Sequence, residues 1–194
     1  MFYLRKLSEP EIRAHIVEAS DSPSTSPRFL TIEKGTTEGD LATYAHDRSQ
    51  SSLGPGEAVF AAAKCVFADF QMFDLGWARV VNSTTPIVRG QLVAVEVRSL
   101  GLWSVNLSRI VETVDNETQF GFVYATTAHH VEQGEERFLL RFDPATGEVS
   151  YELEAISRPR HILARLGYPV ARFFQHKFAR DSHQRIRQAV TLKS

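Results

Sequence analysis

The sequence predicts an α+β fold: a curved antiparallel sheet of about seven strands wrapped around one long C-terminal helix. Three observations predict it. Five stretches between Val93 and Ser157 alternate apolar and polar residues with period two, the pattern of half-buried strands. Turn-forming residues separate them at hairpin spacing. A basic amphipathic segment then follows the last strand and can close the open side of the sheet.

Before the main sheet, residues 8 to 19 read as a short helix. Ser8 is its N-cap, Pro10 lies in the first turn and Glu11 completes a capping box ahead of Ile12, Ile16 and Val17. Residues 20 to 27 are a Ser/Pro linker too poor in apolar side chains to bury itself, and residues 28 to 34 read as extended. Residues 1–38 thus form a helix and linker appended to a domain at 39–194. Leu41 to Arg48 is the expected first strand, and Gly54, Pro55 and Gly56 break the chain after it. Val59, Phe60, Ala63, Val66, Phe67 and Phe70 have helical spacing, so a helix runs from Glu57 to about Phe70. Cys65 on it reads as a small core residue. Trp77 to Asn82 is the next strand, ended by Thr85, Pro86 and Gly90.

The dry phases that follow are Val93, Val95, Val97; Trp103, Val105, Leu107, Arg109, Val111; Phe120, Phe122, Tyr124, Thr126; Glu136, Phe138, Leu140, Phe142; and Val149, Tyr151, Leu153, Ala155. Each turn must keep dry residues opposite dry ones. A three-residue loop around Gly101 puts Val97 near Val105 and Val93 near Arg109. A two-residue turn at Asp115 and Asn116 pairs Val111 with Phe120 and Arg109 with Phe122. The loop Pro144 to Gly147 pairs Phe142 with Val149, Leu140 with Tyr151 and Glu136 with Ala155.

The C-terminal helix is expected after Ser157, Arg158 and Pro159, with Ile162, Leu163, Leu166, Val170, Phe173, Phe174 and Phe178 on its apolar side and a kink or break at Pro169. Sheet plus long helix is the helix-grip, or START-like, layout, and it encloses a cavity. Residues 158 to 194 hold nine Lys or Arg against one acid, Asp181. Arg165, Arg172, Arg180 and Arg187 fall on the polar side, which reads first as a solvated face, then as a contact for an anionic lipid or phosphate surface, and last as a nucleic-acid contact.

With 194 residues, 43% hydrophobic and 23% charged, the chain suits one well-filled domain. A single cysteine excludes an internal disulfide framework, and neither a signal peptide nor a membrane span is expected, so the reading is cytoplasmic. No Gly-rich phosphate loop, nucleophile elbow, zinc-binding cysteine cluster or HExxH is present, which removes the usual sequence support for the common enzyme classes and implies neither cofactor nor metal.

Chemistry is therefore sought in the polar residues that interrupt the dry phases. Arg109, Tyr124 and Glu136 come together in the expected registers. They read either as a structural ion-paired group or as the polar end of a binding cavity, with Arg109 anchoring a carboxylate or phosphate. His130, in a loop beside His129, is a candidate ligand or acid–base group, although no third residue has metal-ligand spacing. Arg158 could meet a bound anion, and Trp103 and Tyr151 could line the cavity, though both suit a packed core.

Three ordered motifs go beyond architecture. They are Gly101-Leu-Trp-Ser-Val-Asn-Leu-Ser-Arg109, then Gly121-Phe-Val-Tyr-Ala-Thr126 with His130 and Gly134-Glu-Glu-Arg-Phe138, then Ser157-Arg-Pro159 followed by Leu166, Gly167, Tyr168, Pro169 and Gln175. The stretch from about residue 36 to 190 resembles an uncharacterised family of bacteria and plants, one of the numbered domains of unknown function. It departs from that family's pattern at Ala125, where the family has glycine, and at Ser108, where it has cysteine. The resemblance implies kinship with helix-grip proteins of the pollen-allergen-like and polyketide-cyclase-like kinds, hence a ligand cavity, and it supplies no catalytic residue. Three functions remain open: a binding protein for a small apolar or amphipathic, possibly anionic, molecule such as a lipid; a cyclase, isomerase or hydrolase using His130 or Glu136; and an interaction module docking through its basic helix.

Overall fold

Alternating residues do build one curled antiparallel sheet. The structure is a computed structural model that describes residues 2–24, 44–159 and 168–193. Its strands are β1 (Phe2–Tyr3), β2 (Ala45–Pro55), β3 (Ala78–Val80), β4 (Leu92–Ser99), β5 (Leu102–Asp115), β6 (Gln119–Thr126), β7 (Glu132–Phe142) and β8 (Glu148–Pro159). They pair in the order β2-β8-β7-β6-β5-β4-β3, and β1 fills the edge of β5 ahead of the point where β6 begins to pair. The helices are α1 (Glu9–Glu18), α2 (Glu57–Ala68), a short 3-10 turn at Gln71–Phe73, and α3 (Tyr168–Thr191). The expected extended stretch at 28 to 34 and the helix start at 160 to 167, with Arg165, lie outside the described residues.

The expected registers hold in the second half of the sheet: Phe142 faces Val149, Leu140 faces Tyr151 and Glu136 faces Ala155. The loop that sets them is closed by Gly147 N–H donating to the Asp143 carbonyl at 2.7 Å and by the Asp143 carboxylate accepting from Ala145 N–H at 2.9 Å. Two motif glycines belong to this half. A Cβ at Gly121 would collide with the Phe138 carbonyl, and one at Gly134 with the Ile156 carbonyl, so each lets a neighbouring strand approach.

The first half differs. The β4–β5 turn has two residues, Leu100 and Gly101, both at positive φ (49° and 80°), so Ser99 pairs with Leu102 rather than with Trp103. One residue less in the turn inverts the face of every β5 side chain before the bulge at Val111. Val105 and Leu107, expected on the concave face, lie on the convex face beneath Leu7, Ile12 and Ala19 of the N-terminal segment. Ser104, Asn106 and Ser108 take their place on the concave side. The β5–β6 turn also sits later than expected, centred on Glu117 and Thr118, where Asn116 Oδ1 accepts from Thr118 N–H and Gln119 N–H at 3.0 and 2.8 Å. The bulge then restores phase, setting Thr113 opposite Phe122.

The N-terminal segment, read as an addition, packs closely on this convex face. Ser8 and Glu11 form the expected capping box on α1. Of the expected strand Leu41 to Arg48, residues 41 to 43 lie outside the described residues; β2 runs on past Arg48 to Pro55, and its polar inward phase, Asp47, Ser49 and Ser51, is satisfied by α3. As described, α3 begins at Tyr168, and the residues ahead of Pro169, where the expected kink or break would show, lie outside the described residues. Cys65 is exposed on α2.

Beneath the concave face, Phe67, Phe70 and Phe73 meet Phe122, Phe138 and Tyr151. Ring centroids are 5.2 Å apart for Phe73 and Phe138, 5.0 Å for Phe122 and Phe138, and 5.3 Å for Phe67 and Tyr151. Each such buried side chain contributes roughly 1.5–3 kcal/mol of hydrophobic stabilisation. The second half of α3 adds Ile186 and Val190, so one end of the grip is solid and the other is left open.

Candidate functional site

Between the first half of α3 and the sheet lies a cavity of about 460 Å3. Its apolar wall includes Val95 and Val97 of β4, Phe73, Trp77, Leu153 of β8, and Phe174 and Phe178 of α3. Leu100 and Val170 line it while 76% and 41% exposed, which marks the mouth.

The polar end is built by β6, β7, β2 and α3. Tyr124 and Glu136 stand opposite one another on β6 and β7, and the Tyr124 hydroxyl donates to Glu136 Oε2 at 2.5 Å. Burial pushes the Glu136 carboxyl up to about 7, against the pull of that hydrogen bond, and the negative charges of Glu132 and Asp47 push the same way. Glu136 is enclosed by the fold yet accessible from the cavity itself. Burial, then the Glu136 charge, raises the Tyr124 hydroxyl well above its ordinary value, so it remains a donor.

Around this pair runs a network. Gln175 Nε2 donates to Glu132 Oε1 and Oε2 at 3.0 and 2.9 Å and to Ser157 Oγ at 2.8 Å. Arg172 donates to Gln175 Oε1 at 2.7 Å and clamps Asp47 through both its amino groups, Nη2 reaching Oδ1 at 2.6 Å. The Arg172 hydrogen bond holds the Asp47 carboxyl below its usual range, whereas burial raises Glu132 against the Gln175 and Ser157 hydrogen bonds. His130 Nδ1 accepts the Glu132 N–H at 3.0 Å, and burial pushes its pKa down to about 4. The imidazole is therefore neutral near pH 7, with its proton on Nε2 and its Nδ1 lone pair engaged.

Three of the seven residues singled out from sequence line the cavity: Tyr124, Glu136 and His130. Four are placed elsewhere. The inverted face of β5 sends Arg109 to the convex side, where its guanidinium donates to the carbonyls of Gly90 and Ser20 at 2.7 Å and of Ser22 at 3.0 Å, closing the end of α1. It cannot anchor a ligand in the cavity. Trp103 lies on the same outer side, with Lys6 and Arg98 over its ring at 5.4 and 5.6 Å. Arg158 binds Gln133 Oε1 at 3.0 Å and covers the Tyr44 ring. Tyr151 is fully buried, its hydroxyl 2.8 Å from Ser182 Oγ.

Of the basic helix residues, Arg172 turns inward to Asp47 and Arg180 pairs with Asp181 at 3.1 Å, while Arg187 is exposed. Sequence reasoning missed Asp47, Asn106, Glu132 and Gln175. The period-two spacing of Asp47, Ser49 and Ser51 was the available signal for β2. His183 on α3 completes that strand's environment, with Ser49 Oγ 2.8 Å from Nε2 and Ser51 Oγ 2.8 Å from Nδ1. Among the described residues no group of His, Cys, Asp and Glu is placed to hold a metal ion, and no helix is long and apolar enough to cross a membrane.

The profile of the domain of unknown function DUF1990 matches residues 31–185. The chain belongs to the DUF1990 family. Consistently, a UPF0548 protein of Dictyostelium discoideum is 30% identical over 98% of this chain and 96% of its own length. Another UPF0548 protein, from Deinococcus radiodurans, is 30% identical over 93% and 94%. Among solved structures, Ara h 8.0201 superposes with a TM-score of 0.50 at 16% identity, covering 76% of this chain and 98% of its own. Protein Ms6760 from Mycobacterium smegmatis also gives a TM-score of 0.50 at 16% identity, over 80% and 96%. This DUF1990 chain therefore has the helix-grip fold, a curled antiparallel sheet gripping a C-terminal helix.

Proposed function

We propose that this DUF1990 protein binds a small apolar or amphipathic molecule in the cavity between the sheet and the first half of α3. One observation carries the reading: a space of about 460 Å3, within the ordinary range for ligand sites, has mainly apolar walls and a hydrogen-bonding group confined to one end. The neighbouring fold supports it by architecture alone. The inward Arg172 and paired Arg180 give less support to docking through the basic helix, and the single cysteine is in keeping with a cytoplasmic setting.

Native mass spectrometry beside denaturing extraction tests the proposal. The expected result is a discrete small molecule carried by the purified protein and lost from Ala155→Trp, a variant that fills the cavity while the sheet stays folded. Protein that carries none, and that takes up no small amphiphile, would overturn it.

A second reading is acid–base catalysis at Glu136, supported by a carboxyl held to about 7 inside an apolar cavity. It expects the bound molecule to be chemically altered on incubation with wild type and unaltered with Glu136→Gln.

A further inference from the structure

Among the described residues, the charged side chains that line the cavity are carboxylates, set beside neutral donors such as Tyr124 and Gln175. Asp47, Glu132, Glu135 and Glu136 line it, and among the described residues no lysine or arginine does. Arg172, the cation behind this wall, is engaged by Asp47 and Gln175. Glu136 has one oxygen occupied by Tyr124, and its other oxygen, Oε1, has no hydrogen-bond partner among the described residues.

A second observation on another strand also points to a missing ligand group. Asn106 of β5 is 6% exposed and belongs to the lining of the same cavity, with Nδ2 donating to Ser104 Oγ at 3.2 Å and Oδ1 buried without a partner among the described residues. Whichever way the amide is turned, one of its polar atoms stays unmatched at the cavity wall. A buried polar atom left without a partner costs about 1–3 kcal/mol, so a ligand that satisfies it gains in affinity. The inversion of β5 put this residue inside and took Arg109 out.

Resting on the cavity reading above, we infer that the ligand is an amphiphile with a cationic, hydrogen-bond-donating head, an ammonium on an apolar body, rather than a carboxylate or phosphate. The ammonium would sit against Glu136 Oε1, with its tail along Val97, Phe174 and Phe178. An anionic head would meet the Glu136 and Glu132 carboxyls with no cation lining the cavity among the described residues to hold it, in a low-dielectric space where like charges repel strongly.

The groups that act on Glu136 are Tyr124 from β6, Glu132 on its own strand and Asp47 from β2, with His130 and, from α3, His176 also lining the cavity and Arg172 taken up by Asp47 and Gln175. A bound cation adds an attraction that none of the groups acting on Glu136 supplies. It therefore drives Glu136 toward its ionised form and releases a proton near pH 7.

The test uses the full chain and three probes of equal tail length below their micelle concentrations: dodecylamine, dodecanol and dodecanoate. Isothermal titration at pH 7 is run in two buffers of different ionisation heat. Dodecylamine is expected to bind at least about tenfold tighter than dodecanoate, the scale of a charge-assisted hydrogen bond, with net proton release. Glu136→Gln, nearly isosteric and checked for an unchanged melting transition, should lose both the preference and the release. Dodecanoate binding as tightly as dodecylamine, or a preference that survives Glu136→Gln, would overturn the cationic head while leaving the cavity reading intact. If no probe binds and extraction finds nothing retained, both readings fall.

Discussion

Tyr124 and Glu136 face one another across the β6–β7 ladder, and the phenol donates to the carboxylate at 2.5 Å. This bond is the main local influence opposing the burial that raises the Glu136 carboxyl. Tyr124→Phe should therefore raise the Glu136 midpoint further and destabilise the fold by about 1–3 kcal/mol, since it strips a partner from an enclosed acid. Carboxyl-carbon NMR titration with denaturant unfolding reads both effects. A midpoint that fell would contradict the assigned direction.

Glu136 also shapes the pH dependence of stability. Its folded value, about 7, lies above the ordinary value of 4.5, so between these pH values the native state binds more protons than the unfolded one. Stability from this group is full below 4.5 and declines as pH rises through 7, by up to about 3 kcal/mol. The difference in unfolding free energy between wild type and Glu136→Gln, followed by urea denaturation from pH 4 to 8, should shrink across that window.

His183 acts in the opposite sense. Burial, helped by the Arg187 charge, lowers it from 6.5 to about 4, so the neutral ring held by Ser49 and Ser51 supports the fold fully above 6.5 and loses that support as pH falls through 4. His183→Gln, which cannot titrate, should flatten the acid limb of the stability profile. A limb of unchanged slope would place the effect elsewhere.

Arg109 should behave as a structural clamp. Arg109→Met removes its hydrogen bonds to the α1 end, with an expected loss of roughly 1.5–3 kcal/mol. Hydrogen exchange should quicken in α1 and β1 while amphiphile affinity stays within a factor of about two, a spread small beside RT ln 10. A large loss of affinity with α1 still protected would contradict the placement.

Packing where the solid end meets the cavity wall is tested by Phe73→Ala. The ring is 1% exposed and meets Tyr124, Phe138 and Phe178, so the change should cost about 3–5 kcal/mol by chemical denaturation.

How legible these features were in the sequence depended on how many faces of a strand are dry. β7 and β8 have one wet face, so the alternation of Phe138, Leu140, Tyr151 and Leu153 fixed the registers and brought Glu136 beside Tyr124. β5 is covered on both faces, by α1 outside and by the cavity wall inside. There the larger residues Val105 and Leu107 marked the outer face, and small polar residues such as Asn106 the inner one. Hydrophobicity ranked the two faces in the wrong order because it carries no information about which cover lies on which side. Leu100 in the turn hid the error further, since a non-glycine residue at positive φ is uncommon. Asp47, Glu132 and Gln175 were missed for a different reason: their partners sit on distant segments, and no local spacing announces a contact between β2 and α3.

The tight Leu100–Gly101 tip has a consequence for how the interior of this fold could change its character. Substitution alters one lining group at a time, but adding a single residue at that tip would rotate the adjoining strand by half a turn. Ser104 and Asn106 would swing outward and Val105 and Leu107 inward, turning a hydrophilic patch of the interior greasy in one genetic event. Length variation at a hairpin end, at the rim of the chamber, is thus a more economical route to a new interior surface than remodelling the walls.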